Sequence, residues 1–245
     1  MVEVLIVGAG LSGMRLAQLL QQQGTNYLLL DARPRAGGRI VSQSMCEGPE
    51  RDNGDHRYDL GPSWVWPNQP RISKLTKQFG IKLYPQYDQG TLVYQDQFGS
   101  IDTTINAAPM AGSLRPQGGQ QSIIDHLYNE LEAERVWLNY TLQSLTLKNG
   151  RVTAKCLTST GTDTIQTRRV VLAVPPRLVA NSINFFPKLM PEQTQAMHDV
   201  PTWMAGQSKI TAVYSRPFWR DHGLSGDGVS RIGPLSEIHD ASPED

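Results

Sequence analysis

Short, mainly apolar runs at Val2–Val7 and Tyr27–Leu30 bracket a stretch with a different rhythm. Dense apolar runs of this length, without strict alternation, mark strands buried on both faces of a parallel sheet. Between them, Leu11 to Gln23 places Leu16, Ala17, Leu19 and Leu20 on a helical pattern and stops at Gly24. Glycine there suits the left-handed position that follows a helix. The order predicted is strand, glycine-rich turn over Gly8–Gly13, helix, then a strand closed by Asp31.

Gly37 to Tyr58 is polar and glycine-punctuated, which predicts mainly loop, with a short extended piece at Ile40–Gln43. Pro70–Phe79 carries Ile72, Leu75 and Phe79 at helical spacing. Thr91–Tyr94 and the segment after Gly99 predict a hairpin, and Ala107–Gly119, rich in Pro and Gly, a linker. From Gln120 a helix is expected with Ile123, Ile124, Leu127 and Leu131 on one face. Strands are predicted at Val136–Asn139, Leu142–Leu147, Arg151–Leu157, Thr162–Thr167 and Arg169–Val174. Asn149-Gly150 is a strong signal for a tight hairpin between two of them. After Pro175-Pro176 come a short helix, a second at Pro191–His198 and a strand at Gln207–Tyr214. Asp221–Asp245 is polar with no closing hydrophobic element, which is how an unfinished α/β domain reads.

The length of 245 residues allows one or two domains with a real core. Lys+Arg and Asp+Glu both total 23, so no charge surplus points to nucleic acid or to a membrane surface as partner. Cys46 and Cys156 cannot make a zinc site or a disulfide framework. His56, His126, His198, His222 and His239 lack ligand spacing, so no metal is expected. With the first strand starting at Val2 and no apolar run near the ~20 residues of a membrane span, a soluble, cytoplasmic protein is the expectation.

The chemistry concentrates in Gly8-Ala9-Gly10-Leu11-Ser12-Gly13, a G-x-G-x-x-G sequence that follows a predicted strand and opens a predicted helix. Gly8 allows the tight turn, Gly10 the approach of a pyrophosphate, and Gly13 close packing of helix on strand. Free N–H groups at the helix start then face phosphate oxygens. Asp31 stands where a carboxylate accepts hydrogen bonds from a ribose diol and repels a 2′-phosphate, which disfavours NADP. Arg33-Pro34-Arg35-Ala36-Gly37-Gly38-Arg39 adds forked donors and small residues beside the same site; a basic surface loop is the equally weighted alternative.

In ordered blocks from residue 2 to about 220 the chain resembles the flavin-containing amine oxidase family, which includes monoamine, polyamine and L-amino-acid oxidases. VLIVGAGLSG is followed by LLLDARPRAGGRI, similar to the family's second-strand acid and R-x-G-G-R segment. Asp59-Leu60-Gly61-Pro62-Ser63-Trp64 resembles the block beside the flavin ring, and Gly118-Gly119 the return to the FAD domain. VVLAVPP at Val170–Pro176 resembles the exit from it. Lys209, eight residues before Pro217-Phe218-Trp219, resembles the family's lysine held through a water near flavin N5. The ribose acid is Asp31 where Glu is more usual, and Pro62 replaces a small residue and removes one backbone donor. The family's last FAD segment has no counterpart, so a fragment lacking its carboxy-terminal part is expected.

The resemblance implies an α/β fold: a Rossmann-like FAD/NAD(P)-binding domain intertwined with an α+β substrate domain. FAD binding falls to residues 1–72 and 117–175, and the substrate domain to 73–116 and 176–245. It implies FAD as cofactor, a small-molecule amine as substrate, and hydride transfer to flavin N5 with O2 as acceptor giving H2O2. The cofactor contacts it implies are Gly8, Gly10, Leu11, Ser12, Gly13, Asp31, Ala32, Arg33, Gly37, Gly38, Arg39, Gly61, Pro62, Ser63, Trp64 and Leu142. Lys209 is the implied catalytic residue, its physical rationale being a cation or water-holding donor where negative charge develops. Trp64, and less so Trp66, would line the ring or the substrate path; a place in the core is the equal alternative. A carbon–carbon desaturase or protoporphyrinogen-oxidase-type flavoprotein shares the early blocks, and a non-catalytic FAD module is the rival from another class.

Overall fold

The computed structural model describes residues 1–44 and 57–244; Cys46 and His56 lie outside them. In chain order the early elements are β1 (Val2–Val7), α1 (Leu11–Gln22), β2 (Tyr27–Asp31), β3 (Ser42–Ser44), β4 (Arg57–Asp59), α2 (Pro70–Gln78) and β5 (Leu83–Pro85). Next come β6 (Thr91–Gln95), β7 (Ile101–Ile105), β8 (Leu114–Pro116), α3 (Gln121–Glu130), β9 (Val136–Leu138) and β10 (Thr141–Lys148). The last are β11 (Arg151–Thr158), β12 (Gly161–Leu172), α4 (Pro176–Ser182), β13 (Asn184–Phe186), α5 (Pro191–Asp199), β14 (Leu224–Ser230) and β15 (Glu237–Ile238). They form two compact units, Met1–Ile40 with Ile124–Ser208, and Val41–Ile123 with Lys209–Asp245.

The first unit is a mixed α/β structure on a seven-stranded sheet ordered β13-β10-β11-β12-β1-β2-β9. β1 pairs in parallel with both β2 and β12, which makes it an interior strand, and Leu5 and Ile6, on its opposite faces, are both fully buried. β10, β11 and β12 form an antiparallel meander through the Asn149-Gly150 turn, where both residues have positive φ as a two-residue hairpin of this kind requires. The two strands predicted at Thr162–Thr167 and Arg169–Val174 are one, β12. Its first part closes the meander and its last part lies beside β1.

α1 turns a different face inward from the one its leucines suggested. Gly13, Met14, Ala17 and Gln18 are buried, whereas Leu16 and Leu20 are half-buried and Leu19 is exposed. The small residues let the helix lie close to the sheet, and the buried Gln18 amide is satisfied by Arg15 and Glu130. α3 has the face expected of it, with Ile123, Ile124 and Leu127 at or near full burial.

The second unit holds a four-stranded sheet ordered β15-β14-β6-β7 and the small pairs β3-β4 and β5-β8. Here the polar carboxy-terminal stretch departs from expectation, because Leu224–Ser230 and Glu237–Ile238 are strands, β14 pairing with β6. Ser225, Asp227 and Gly228 are buried on β14, so this strand's inner face is polar and small, with no hydrophobic signal to read. The segment predicted as a linker contributes β8 to the β5 pair. Conversely, Gln207–Tyr214 forms no strand: the Gln207 N–H turns back to Met204 O, and Ile210 and Val213 are exposed. An apolar run becomes a strand only with a ladder partner, and among the described residues none takes that place. No helix among the described residues is long and apolar enough to cross a membrane.

Candidate functional site

In the first unit, the glycine turn between β1 and α1 is built for close approach. Gly8 has φ +108°, and a Cβ there would meet Ala173 O at 2.6 Å. A Cβ on Gly13 would lie 1.9 Å from Gly8 O, so α1 starts directly against the turn. A Cβ on Gly38, itself at φ +61°, would come within 3.2 Å of the Gly10 Cα, so the backbones of Gly10 and Gly38 run side by side. Gly10 caps α1 with no side-chain hydrogen bond, and no acidic residue sits in the first turn. The N–H groups at the helix start and the positive end of its dipole are thereby left for an anion. The donor set and the absence of side-chain bulk fit the pyrophosphate of a dinucleotide.

Asp31, at the end of β2, accepts hydrogen bonds from Ala9 N–H on Oδ2 (2.8 Å) and from Arg33 N–H on Oδ1 (2.9 Å). Each carboxylate oxygen keeps a second lone pair, which is what a ribose diol uses. Arg33 and Arg35 of the following loop are folded onto it, whereas Arg39 reaches away from it. Arg33 Nη1 and Arg35 Nη2 donate to Gly38 O at 2.7 and 2.9 Å, and Arg39 Nη1 donates to Trp203 O at 3.1 Å. Leu142 is buried on β10 opposite Cys156.

The second unit holds the lysine. Lys209 Nζ donates to Ser63 Oγ at 2.6 Å and to Gly61 O at 3.0 Å, joining segments 146 residues apart in the chain. The residue as a whole is exposed, and its ammonium lies 5.7 Å from the Trp64 ring centroid. Burial lowers its pKa below the ordinary lysine range; the charge of Asp59 pulls it back up and that of Arg115 pushes it further down. Trp64 is half-buried, with Nε1–H donating to Gln86 Oε1 at 2.9 Å. Trp66 has its own N–H on Gln69 Oε1 and is not in this cluster.

Asp59 is the residue that sequence reasoning quoted within a block without giving it a role. It is 3% exposed; Oδ1 accepts from Ser42 Oγ–H and from Gln120 N–H, and Oδ2 has no hydrogen-bond partner among the described residues. Ser42 Oγ in turn accepts from Gln121 N–H at 3.1 Å, so the pair caps the start of α3 from a distance in sequence. Gly119, at φ +70°, is required there, since a Cβ would meet Ser42 Oγ at 2.7 Å and Asp59 Oδ1 at 2.9 Å. Burial raises the Asp59 pKa above the ordinary aspartate value; its hydrogen bonds and the Arg115 and Lys209 charges oppose that rise. Asp59 thus anchors the loop whose Gly61 and Ser63 hold Lys209.

Comparison with known proteins identifies the family and the fold. The model for "Flavin containing amine oxidoreductase" matches residues 102–244, and that for "NAD(P)-binding Rossmann-like domain" matches residues 6–79. The chain is 21% identical over 341 residues to "Probable flavin-containing monoamine oxidase A" of Dictyostelium discoideum, covering 99% of this chain and 72% of that protein. That alignment is longer than the chain itself, so roughly a hundred of its positions are occupied only in the relative. "Amine oxidase [flavin-containing] B" of Homo sapiens is 32% identical over 124 residues, 51% of this chain and 21% of that one. Among solved structures, wild-type putrescine oxidase bound to putrescine has the same fold, with a TM-score of 0.80 at 21% identity over 100% of this chain and 73% of that one.

Proposed function

Because the chain belongs to the flavin containing amine oxidoreductase family, we propose that it oxidises the C–N bond of a small-molecule amine with FAD, O2 taking the electrons and leaving as H2O2. When bound, the flavin supplies the two-electron acceptor for the carbon beside the amine nitrogen. The Gly8–Gly13 turn and the start of α1 would hold the pyrophosphate, and Asp31 the ribose; Arg39 and the Gly37-Gly38 backbone would complete that cradle. The backbone near Leu142 would contact the adenine. Residues 1–72 and 117–175 serve cofactor binding, and 73–116 with 176–245 serve the substrate.

The observation that carries the reading is the fixing of Lys209 Nζ on Ser63 Oγ and Gly61 O, inside the block that resembles the flavin-facing segment. A partly desolvated ammonium with two fixed acceptors has one remaining N–H, suited to hold a water or to stabilise negative charge where it develops. Desolvation makes that stabilisation larger than it would be in water. Ser63, buried itself, keeps the lysine from swinging into solvent.

The test is peroxide release by the FAD-supplemented chain over a panel of primary, secondary and diamine substrates. Peroxide that depends on both amine and FAD supports the reading. A chain that keeps its flavin colour but yields no peroxide and no bleaching with any amine would contradict it and favour a non-catalytic flavin module.

A further inference from the structure

Asp227, on β14, is a carboxylate in a place poorly suited to one. The residue is 3% exposed; Oδ1 lies 2.8 Å from His239 Nδ1, and Oδ2 has no hydrogen-bond partner among the described residues. Buried polar atoms left unpaired are few in native proteins, and each calls for a reason. The strand around it is shaped to admit it. A Cβ on Gly226, at φ +81°, would lie 2.6 Å from Trp219 Nε1, and one on Gly228 would lie 3.4 Å from Ile238. Asp227 N–H donates to the fully buried Ser225 Oγ at 3.2 Å, which steadies the backbone from which the carboxylate projects.

His239 is what the carboxylate orients. Its ring meets Trp64 edge to face, with centroids 5.3 Å apart and planes at 83°. Its Nε2 is 3.9 Å from the exposed Glu237 carboxylate, so Asp227 and Glu237 are the charged groups facing it. The opposite constraint on Trp64 is Gln86, itself buried, with Nε2 donating to Asp240 O at 2.6 Å. Lys209 Nζ stands 5.7 Å from the same indole.

We propose that buried Asp227 and half-buried His239 form a dyad that fixes the plane of Trp64, making His239 a positioning residue for the amine site. The proposal rests on the reading of Trp64 and Lys209 given above. A carboxylate on Nδ1 fixes both the rotation and the tautomer of an imidazole, which apolar packing does not. An edge-to-face contact is directional, so a fixed imidazole in turn limits the tilt of the indole. Trp64 held from two sides is a rigid wall: altering the dyad changes how well an amine is seated and leaves the chemistry at Lys209 intact.

The direct readout needs no flavin: the indole N–H resonance of Trp64 in the 15N-labelled chain, assigned with Trp64→Phe. Asp227→Leu removes the bond to His239 together with the unpaired oxygen. It should move that resonance and speed its solvent exchange about tenfold, with a urea midpoint unchanged or raised. Asp227→Asn, which keeps an acceptor for Nδ1–H, should restore the wild-type position. If Asp227→Leu does not fold, His239→Leu against His239→Asn makes the same comparison. A Trp64 resonance unmoved by Asp227→Leu or His239→Leu overturns the proposal. In the FAD-loaded chain the leucine variants should raise KM about fivefold with kcat within twofold; a fall in kcat at unchanged KM would also overturn it. Absence of turnover in every variant and in the wild type would refute the amine reading alone, while the Trp64 resonance still decides the dyad.

Discussion

Adding one methyl group at Gly13 should separate the cradle's packing from its ability to bind. In Gly13→Ala the new Cβ would lie 1.9 Å from Gly8 O and 3.3 Å from Ala173 Cβ. Both neighbours belong to strands or turns of the central sheet, so the first turn of α1 must retreat by about 1.5 Å to reach ordinary contact. Overpacking of this kind costs about 1–3 kcal/mol, and the better helix propensity of Ala offsets about 1 kcal/mol. The net cost is then about 0–2 kcal/mol, and with a denaturant slope of about 2 kcal/mol per molar urea the midpoint should fall by up to about 1 M. Binding should suffer more, because the displaced N–H groups no longer point at the pyrophosphate. Losing one hydrogen bond to a charged group, about 1.5–3 kcal/mol, weakens FAD binding at least about tenfold. Gly24→Ala is the control: φ is +67° with nothing within 4 Å, so it strains the backbone by about 1 kcal/mol without touching the turn. Equilibrium dialysis of FAD and urea unfolding on both variants give the comparison. If Gly13→Ala holds FAD as tightly as Gly24→Ala, the close-approach reading of the turn is wrong.

Lys209→Met should leave FAD bound and slow the anaerobic reduction of the flavin by an amine by more than tenfold; an unchanged rate in stopped-flow would remove the lysine from the mechanism. Because burial lowers the Lys209 pKa, the alkaline limb of the reduction rate should begin below the ordinary lysine value near 10.5 and vanish in the variant. For Asp59 the sign is that of a raised carboxyl: the folded state holds the proton more tightly than the unfolded one. Its contribution is complete below the ordinary aspartate value of 3.8 and is lost as pH rises through the folded value. Asp59→Asn should therefore gain stability relative to wild type between about pH 4 and 7; urea midpoints whose difference stays flat or shrinks across that range would contradict the burial argument. Asp31→Ala removes the acceptor for Ala9 and Arg33 N–H and should weaken FAD binding about tenfold, roughly 1.4 kcal/mol, which isothermal titration would measure.

What the sequence made legible was whatever carries a steep, local signal. The glycine turn needs Gly8 at positive φ and Gly13 without a Cβ, so the glycine spacing, read between a predicted strand and a predicted helix, located the turn. β1 and β2 are covered on both faces and read as apolar runs. The pairing of Lys209 with Gly61 and Ser63 was approached from two separate blocks, and the structure joins them. What escaped was non-local. Gln18 is buried because Glu130 and Arg15 satisfy it, and nothing in the α1 pattern announces that. β14 reads Leu-Ser-Gly-Asp-Gly-Val-Ser, a composition that argues against a strand, and it forms because β6 offers an edge. Gln207–Tyr214 has strand composition and, among the described residues, no such edge. Asp59, Asp227 and His239 have neighbours from distant positions, so their roles follow only from the fold.

The most direct test of amine oxidation is an anaerobic titration of the FAD-loaded chain with a diamine, followed through the visible absorption of the flavin. The account predicts bleaching that saturates near one amine per flavin and recovers when O2 is admitted. A flavin band that stays bound and unbleached by every amine tried would contradict it.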